Sequence, residues 1–192
     1  MKIIELRRHG EKDLRRKQML SEAGINVACA LGRMSAGKQY ERICVTSFTR
    51  TMQTAAAFIE GHGNISVMQF DVLPMIAAGP DMEELGRVFY AAVKAFDGDE
   101  TKVTLQYFLD HAPELTERES KRLAGLLLGV FDTLSENCRA LAFSHTPLIE
   151  MAVYGLTGAK LGHLLPLQGV ELIKVGGGQI EVCSLGAADA AC

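Results

Sequence analysis

Short β-branched runs alternate with longer stretches of helical periodicity along nearly the whole chain, and this alternation restricts the fold more than any other feature. Residues 2–7 read as a strand, with β-branched Ile3 and Ile4 and a stop at Gly10. Ser21 opens a helix whose Val27, Ala28, Leu31 and Met34 recur at helical spacing. Residues 41–46 form a second strand, 49–61 a second helix with Gly61 as its stop, and 65–70 a third strand. Residues 81–96 read as a helix with an apolar core face, and 116–137 as a long helix opened by the capping-box pattern "TERE". A strand at 139–144 precedes a helix started by Pro147, and 169–175 with 179–184 make a hairpin across "GGG". Strands alternating with helices need a sheet covered on both faces. The expectation is a three-layer α/β/α sandwich with a largely parallel central sheet. The 192 residues suit one domain, 1–192, with a small helical cap insertion at about 76–125.

Composition narrows the function classes. Hydrophobic residues make up 48% and charged residues 22%, the profile of a folded globular chain. A formal net charge of -3 gives no general electrostatic case for nucleic acid. The longest apolar runs fall short of a membrane span, and the N-terminal run is too short for a signal peptide, so a cytoplasmic protein is expected. The five cysteines, Cys29, Cys44, Cys138, Cys183 and Cys192, form no CxxC pair. That scatter favours free thiols in a reducing compartment over a disulfide framework or a zinc site.

The chemistry concentrates at three strand ends. Arg8-His9-Gly10 follows the first strand. "TSFTRTMQTA" follows the second, with Arg50 in the first turn of a helix. Ser144-His145-Thr146-Pro147 follows the strand at 139–144. Open α/β sheets bind ligands beyond the carboxyl ends of their strands, so two histidines and two arginines distant in sequence can converge there. Guanidinium forks match phosphate oxygens, and a histidine nitrogen can take a phosphoryl group covalently. Gly10 leaves room for the anion, and the helix that starts near Thr49 can aim N–H groups at it. Flanking arginines lower the pKa of a histidine and keep it neutral, as nucleophilic attack requires. His62, His111 and His163 have no such companions and read as core or surface residues.

With these blocks in order, the sequence resembles the histidine phosphatase superfamily, also called phosphoglycerate mutase-like. Arg8-His9-Gly10 is similar to its hallmark. Ser47, Arg50, Gln53, Thr54 and Ala55 are similar to its Ser-x-x-x-Arg-x-x-Gln-Thr-Ala signature, with one residue fewer between Ser47 and Arg50, and "AFSHTPLIE" resembles its second histidine segment. "MLSEAGINVACALG" and "LPLQGVELIKV" are also similar to family segments. The small bacterial phosphohistidine phosphatases are nearest in style, through their size and an "SH-x-P-L" segment. The resemblance implies a phosphatase with no metal or organic cofactor. His9 would be the phosphorylated nucleophile, and Arg8, Arg50 and His145 would complete the phosphate pocket.

One element of the family pattern is missing. Many members carry a glutamate proton donor in a Leu-x-Glu setting after the third strand. Here the segment reads "VLPMIAAG", and Met75 holds that place. Glu11, beside the nucleophile motif, is the best-placed substitute. Glu83 and Glu84 are also candidates, although acidic residues at a helix start have an ordinary electrostatic reason. General acid catalysis is worth roughly 10²–10⁴-fold, so a chain without it suits a good leaving group. The loop after Gly10 is short and lacks the mutase elements, while Arg15, Arg16 and Lys17 could meet an anionic substrate at the pocket mouth. Three functions follow. The first is hydrolysis of a phosphomonoester or phosphohistidine, on a phosphorylated small molecule or phosphoprotein. The others are a phosphoglycerate-type mutase and a non-catalytic phosphate-binding scaffold.

Overall fold

The computed structural model describes residues 1–16, 18–63, 69–75, 80–176 and 178–187. Six strands form one mixed sheet in the order β3-β2-β4-β1-β5-β6. They are β1 (Lys2–Arg8), β2 (Arg42–Val45), β3 (Gln69–Val72), β4 (Arg139–Ser144), β5 (Gly169–Lys174) and β6 (Ile180–Leu185). The pairs β3–β2, β2–β4 and β4–β1 are parallel, whereas β5 runs antiparallel to β1 and β6 antiparallel to β5. The parallel half follows from helical connections between its strands. The antiparallel end is the hairpin foreseen at the C-terminal segment.

Strand alternation divides the core in two. Ile43 and Val45 of β2 and Leu141 and Phe143 of β4 face α1 (Glu22–Met34) and α2 (Thr49–His62). Ile4 and Leu6 of β1, with Ala140 and Ala142 of β4, face the other way. There they meet α5 (Pro113–Thr133) and α6 (Leu148–Thr157), which together supply Leu123, Leu127, Phe131, Ile149 and Val153 to the same core. α3 (Pro80–Ala95), a 3-10 turn at Glu100–Lys102 and α4 (Leu105–His111) join this second layer through Leu85, Ala92, Val103, Leu105 and Phe108. Among the described residues no helix is long and apolar enough to cross a membrane.

Three local expectations are corrected. Gly61 does not end α2, which continues to His62 and stops on Gly63 in the left-handed region at φ 71°. Gly61 is needed for a close helix crossing: a Cβ there would overlap the Cys29 carbonyl of α1, and one on Gly32 would overlap the Phe58 carbonyl of α2. Gly61→Ala is therefore expected to lower stability by about 1–3 kcal/mol, read as a lower urea midpoint at unchanged m-value. An unchanged midpoint would show that the helices separate at no cost. The "TERE" segment is not a cap either. α5 starts a turn earlier on Pro113, and the Thr116 hydroxyl donates to the Ala112 carbonyl inside the helix. Glu119 pairs with Arg122 at 2.8 Å. The third strand occupies Gln69–Val72, so most of the expected 65–70 run lies outside the described residues.

Arg7 is fully buried in the middle of the sheet. Its guanidinium donates to the carbonyls of Leu167 and Gly186 and meets Glu5 at 3.4 Å. The β1 backbone thus sends Glu5 and Arg7 to the α1–α2 face and Ile4, Leu6 and Arg8 to the other, as a period of two requires.

Candidate active site

The carboxyl ends of β1, β2 and β4 open onto a cavity of about 470 Å³. Arg8 and His9 reach it from β1, Arg50 from the first turn of α2, and His145 from the end of β4. The β1 and β4 ends are tied directly, since the His9 N–H donates to the Ser144 carbonyl at 3.0 Å. Thr54 of the α2 signature accepts from the Gly10 N–H at 3.1 Å, and Gln53 accepts from Leu20 N–H at 2.9 Å. The "QTA" segment thereby pins the loop that carries the histidine.

The hydrogen bonds fix both ring tautomers. The Gly10 carbonyl can only accept, so His9 Nδ1 donates to it at 2.6 Å. Nε2 then carries a lone pair, and it accepts from Arg50 Nε at 3.1 Å. Arg50 Nη2 donates to His145 Nδ1 at 3.0 Å, so His145 Nε2 donates to the Thr46 hydroxyl at 2.7 Å. One guanidinium therefore sits between two neutral rings whose centroids are 5.0 Å apart, and it stacks on Phe48 at 4.5 Å.

Burial and positive charge make both rings reluctant to protonate. The His9 pKa is pushed down to about 3, by burial first and then by Arg50 and Arg8 against the pull of the Gly10 carbonyl. His145 is pushed down to about 2, by burial and then by Arg50. Arg8 and Arg50 are themselves lowered by burial but keep their charge at neutral pH. Behind Arg8, burial raises the carboxyl of Glu150 to about 7.

These groups set how stability responds to acid. Between pH 6.5 and pH 4.5 the unfolded chain takes up a proton on each of His9 and His145 that the folded chain refuses. The folded chain takes up one on Glu150 that the unfolded chain does not. Two less one leaves the unfolded state favoured by one proton, so stability falls by roughly 1.4 kcal/mol per pH unit as pH drops through this window. His163, also lowered, adds in the same sense. Urea unfolding at pH 7.0 and 5.0 checks this, and equal or greater stability at pH 5.0 would contradict it.

Other expected residues lie elsewhere. Gly10 supplies its carbonyl to His9, but a Cβ on it would point at the Gly24 carbonyl (3.0 Å) and Leu20, not into the cavity. Glu11, Glu83 and Glu84 are exposed and do not line the cavity. Nor do Arg15 and Arg16, which are exposed on a turn whose N–H groups are capped by Asp13. Lys17 lies outside the described residues. Met75 is buried in the core.

Sequence reasoning also missed three residues that line the cavity. The sequence offers His163 only as a core or surface residue. It accepts from Arg8 Nη1 at 2.8 Å through Nε2 and donates to the Val103 carbonyl through Nδ1 at 3.3 Å. Lys12 and Glu100 also line the cavity, paired at 2.9 Å. No local pattern marks any of them, because each comes from a loop or a short turn.

No curated protein matches this sequence at a significant level. Solved structures do match it, at low identity. Phosphoglycerate mutase from Bacillus anthracis str. Sterne gives a TM-score of 0.66 at 16% identity, over 98% of this chain and 94% of that one. Phosphoserine phosphatase from Entamoeba histolytica, solved with 3-phosphoglyceric acid, gives 0.63 at 19% identity, over 99% of both chains. The protein histidine phosphatase SixA, solved with tungstate, gives 0.61 at 16% identity, over 98% and 99%. The likenesses establish the fold. The sequence pattern of the histidine phosphatase superfamily (branch 1) runs through residues 4–182, from the first strand to the last. With that pattern running through almost its whole length, the chain belongs to the histidine phosphatase superfamily, branch 1.

Proposed function

We propose that the protein is a metal-independent phosphatase that works through a phosphohistidine on His9. The observation that carries this reading is the His9 ring. Its Nδ1–H is held by a carbonyl, and its Nε2 lone pair faces a guanidinium inside a cavity. A phosphate drawn in by Arg8 and Arg50 meets that lone pair. The Nε2–P bond forms while the bond from phosphorus to the leaving oxygen breaks, and the electron pair departs on that oxygen. Water then attacks phosphorus, the P–N bond breaks, and inorganic phosphate leaves a neutral ring. The arginines offset charge on the phosphoryl oxygens in both steps, and His145 donors and acceptors border the same space.

The substrate is a phosphorylated small molecule or a phosphoprotein, and the segment from α3 to α4 serves as the cap of one domain. We place the protein in the cytoplasm, which suits the free Cys29, Cys44, Cys138 and Cys183. The test is incubation with acetyl phosphate and EDTA, followed by an alkaline quench and peptide mapping. Phosphohistidine on His9 is the expected product. A folded protein that binds phosphate and never labels would turn the reading to a binding protein.

A further inference from the structure

The cavity has two unlike halves, and the second half describes the leaving group. Phosphate-facing side chains fill one end. The roof is a stripe of α3: Met82, Leu85, Gly86, Phe89 and Tyr90, spaced so that one helix face points inward. Phe48 and Leu148 continue the apolar wall. At about 470 Å³ the space has room for a small organic molecule and is larger than a single ion needs.

Charge restricts the occupant further. Among the described lining residues the cations besides Arg8 and Arg50 reduce to Lys12, and Glu100 holds it at 2.9 Å. Among the described lining residues no lysine or arginine is left over for a second phosphate or a carboxylate. Glu100 is also the one carboxyl among those lining residues, and its Oε2 is engaged by Lys12 Nζ. A carboxyl committed to an ammonium group is a poor proton source for a departing oxygen. A phenolate, with a pKa of about 10, leaves without that help far more readily than an alkoxide near water's value of about 15.7.

From the apolar roof, the paired Lys12 and the lack of a second carboxyl among the described lining residues, we infer that the substrate is the monophosphate ester of an aromatic hydroxyl. This rests on the reading of His9 as nucleophile. The aryl ring lies under Phe89 and Tyr90, and the phosphate lies between Arg8 and Arg50. As His9 Nε2 bonds to phosphorus, the aryl–oxygen carries off the electron pair and takes its proton from solvent. Hydrolysis of the phosphoenzyme by water closes the cycle.

The experiment compares kcat/KM for 1-naphthyl, phenyl and cyclohexyl phosphates, 3-phosphoglycerate and glucose 6-phosphate, with acetyl phosphate labelling run in parallel. The aryl esters should exceed 3-phosphoglycerate and glucose 6-phosphate by at least about 100-fold, from the apolar contact and the better leaving group together. Cyclohexyl phosphate matches phenyl phosphate in bulk but leaves as an alkoxide, and it should fall at least about 10-fold below it. In Phe89→Ala and in Tyr90→Ala the preference for naphthyl over glucose 6-phosphate should shrink about 10-fold. Tyr90 is 73% exposed, so its variant carries little packing cost.

Equal turnover of cyclohexyl and phenyl phosphates would overturn the aromatic requirement. A preference for 3-phosphoglycerate would overturn the inference altogether. In either case labelling of His9 by acetyl phosphate shows that the nucleophile reading survives; loss of labelling together with loss of all turnover removes both. An aryl phosphate can also belong to a protein as phosphotyrosine. A phosphotyrosyl peptide turned over faster than naphthyl phosphate would support the aryl chemistry and assign it to a protein substrate. The reverse order assigns it to a small molecule.

Discussion

Replacing His9 with alanine is expected to lower kcat by about 10⁴- to 10⁶-fold, the scale seen when a covalent nucleophile is removed. The protein should remain folded. His9 lies just past the end of β1, and its ring hydrogen-bonds to Gly10 and Arg50 and packs on the His145 ring, none of which belongs to the strand ladder, so the sheet register does not depend on it. His145 is the natural control, because its Nδ1 lone pair faces the same guanidinium at 3.0 Å. The two rings differ in what holds the opposite nitrogen. His9 Nδ1–H is anchored by a carbonyl at 2.6 Å, whereas His145 Nε2–H reaches a threonine hydroxyl at 2.7 Å. The carbonyl is a stronger acceptor, and it makes the His9 lone pair the better nucleophile. His145→Ala should therefore slow turnover but leave label on His9. Label that persists in His9→Ala and vanishes in His145→Ala would exchange the two roles.

Glu5→Ala is expected to cost about 3–5 kcal/mol of stability, because it breaks a buried charge cluster. Glu5 is fully buried and gathers Lys38 Nζ at 2.9 Å, Tyr40 hydroxyl at 3.0 Å, Arg139 Nη1 at 2.8 Å and Arg7 Nε at 3.4 Å. Burial by itself would raise its carboxyl, but Arg7, Lys38 and Arg139 outweigh it and hold the pKa below its ordinary 4.5. Removing the carboxylate leaves Arg7 inside the sheet without that counter-charge, and Glu171 alone must serve Lys38 and Arg139. Glu5→Gln keeps much of the hydrogen bonding and loses the charge, so it should cost less. Double replacement of Glu5 and Arg7 by leucine should recover part of the loss, since it removes both buried charges. Urea midpoints for the three variants decide this. A loss under about 1 kcal/mol in Glu5→Ala would mean that water reaches the cluster.

The order of elements and the place of the site are written locally. Alternating apolar periods placed most strands and helices to within a few residues, because each period is a property of neighbours in the chain, but they did not assign α4 at Leu105–His111. Arg8, His9, Arg50 and His145 were visible for the same reason: each directly follows a strand or opens a helix, and the carboxyl ends of parallel strands share one edge. Where one residue type serves two purposes, the sequence misleads. Gly61 looks like a helix stop and is a contact between helices. Thr116 looks like a cap and sits inside a helix begun by Pro113. A charged residue in a strand suggests solvent, yet Arg7 is buried because Glu5 and two carbonyls face it.

The sequence by itself determined the fold class, the family and the arginine–histidine end of the cavity. Tertiary structure alone decided the rest of the wall. His163, Lys12 and Glu100 come from irregular segments up to 151 positions apart, and no periodicity links them. The inward face of α3 could be read as amphipathic, but only packing shows that part of it faces a cavity and not the core. The His9 tautomer, too, depends on a backbone carbonyl whose direction no residue type specifies. Chemistry carried by neighbours in the chain is legible in the sequence, whereas chemistry that depends on distant groups meeting in space is not.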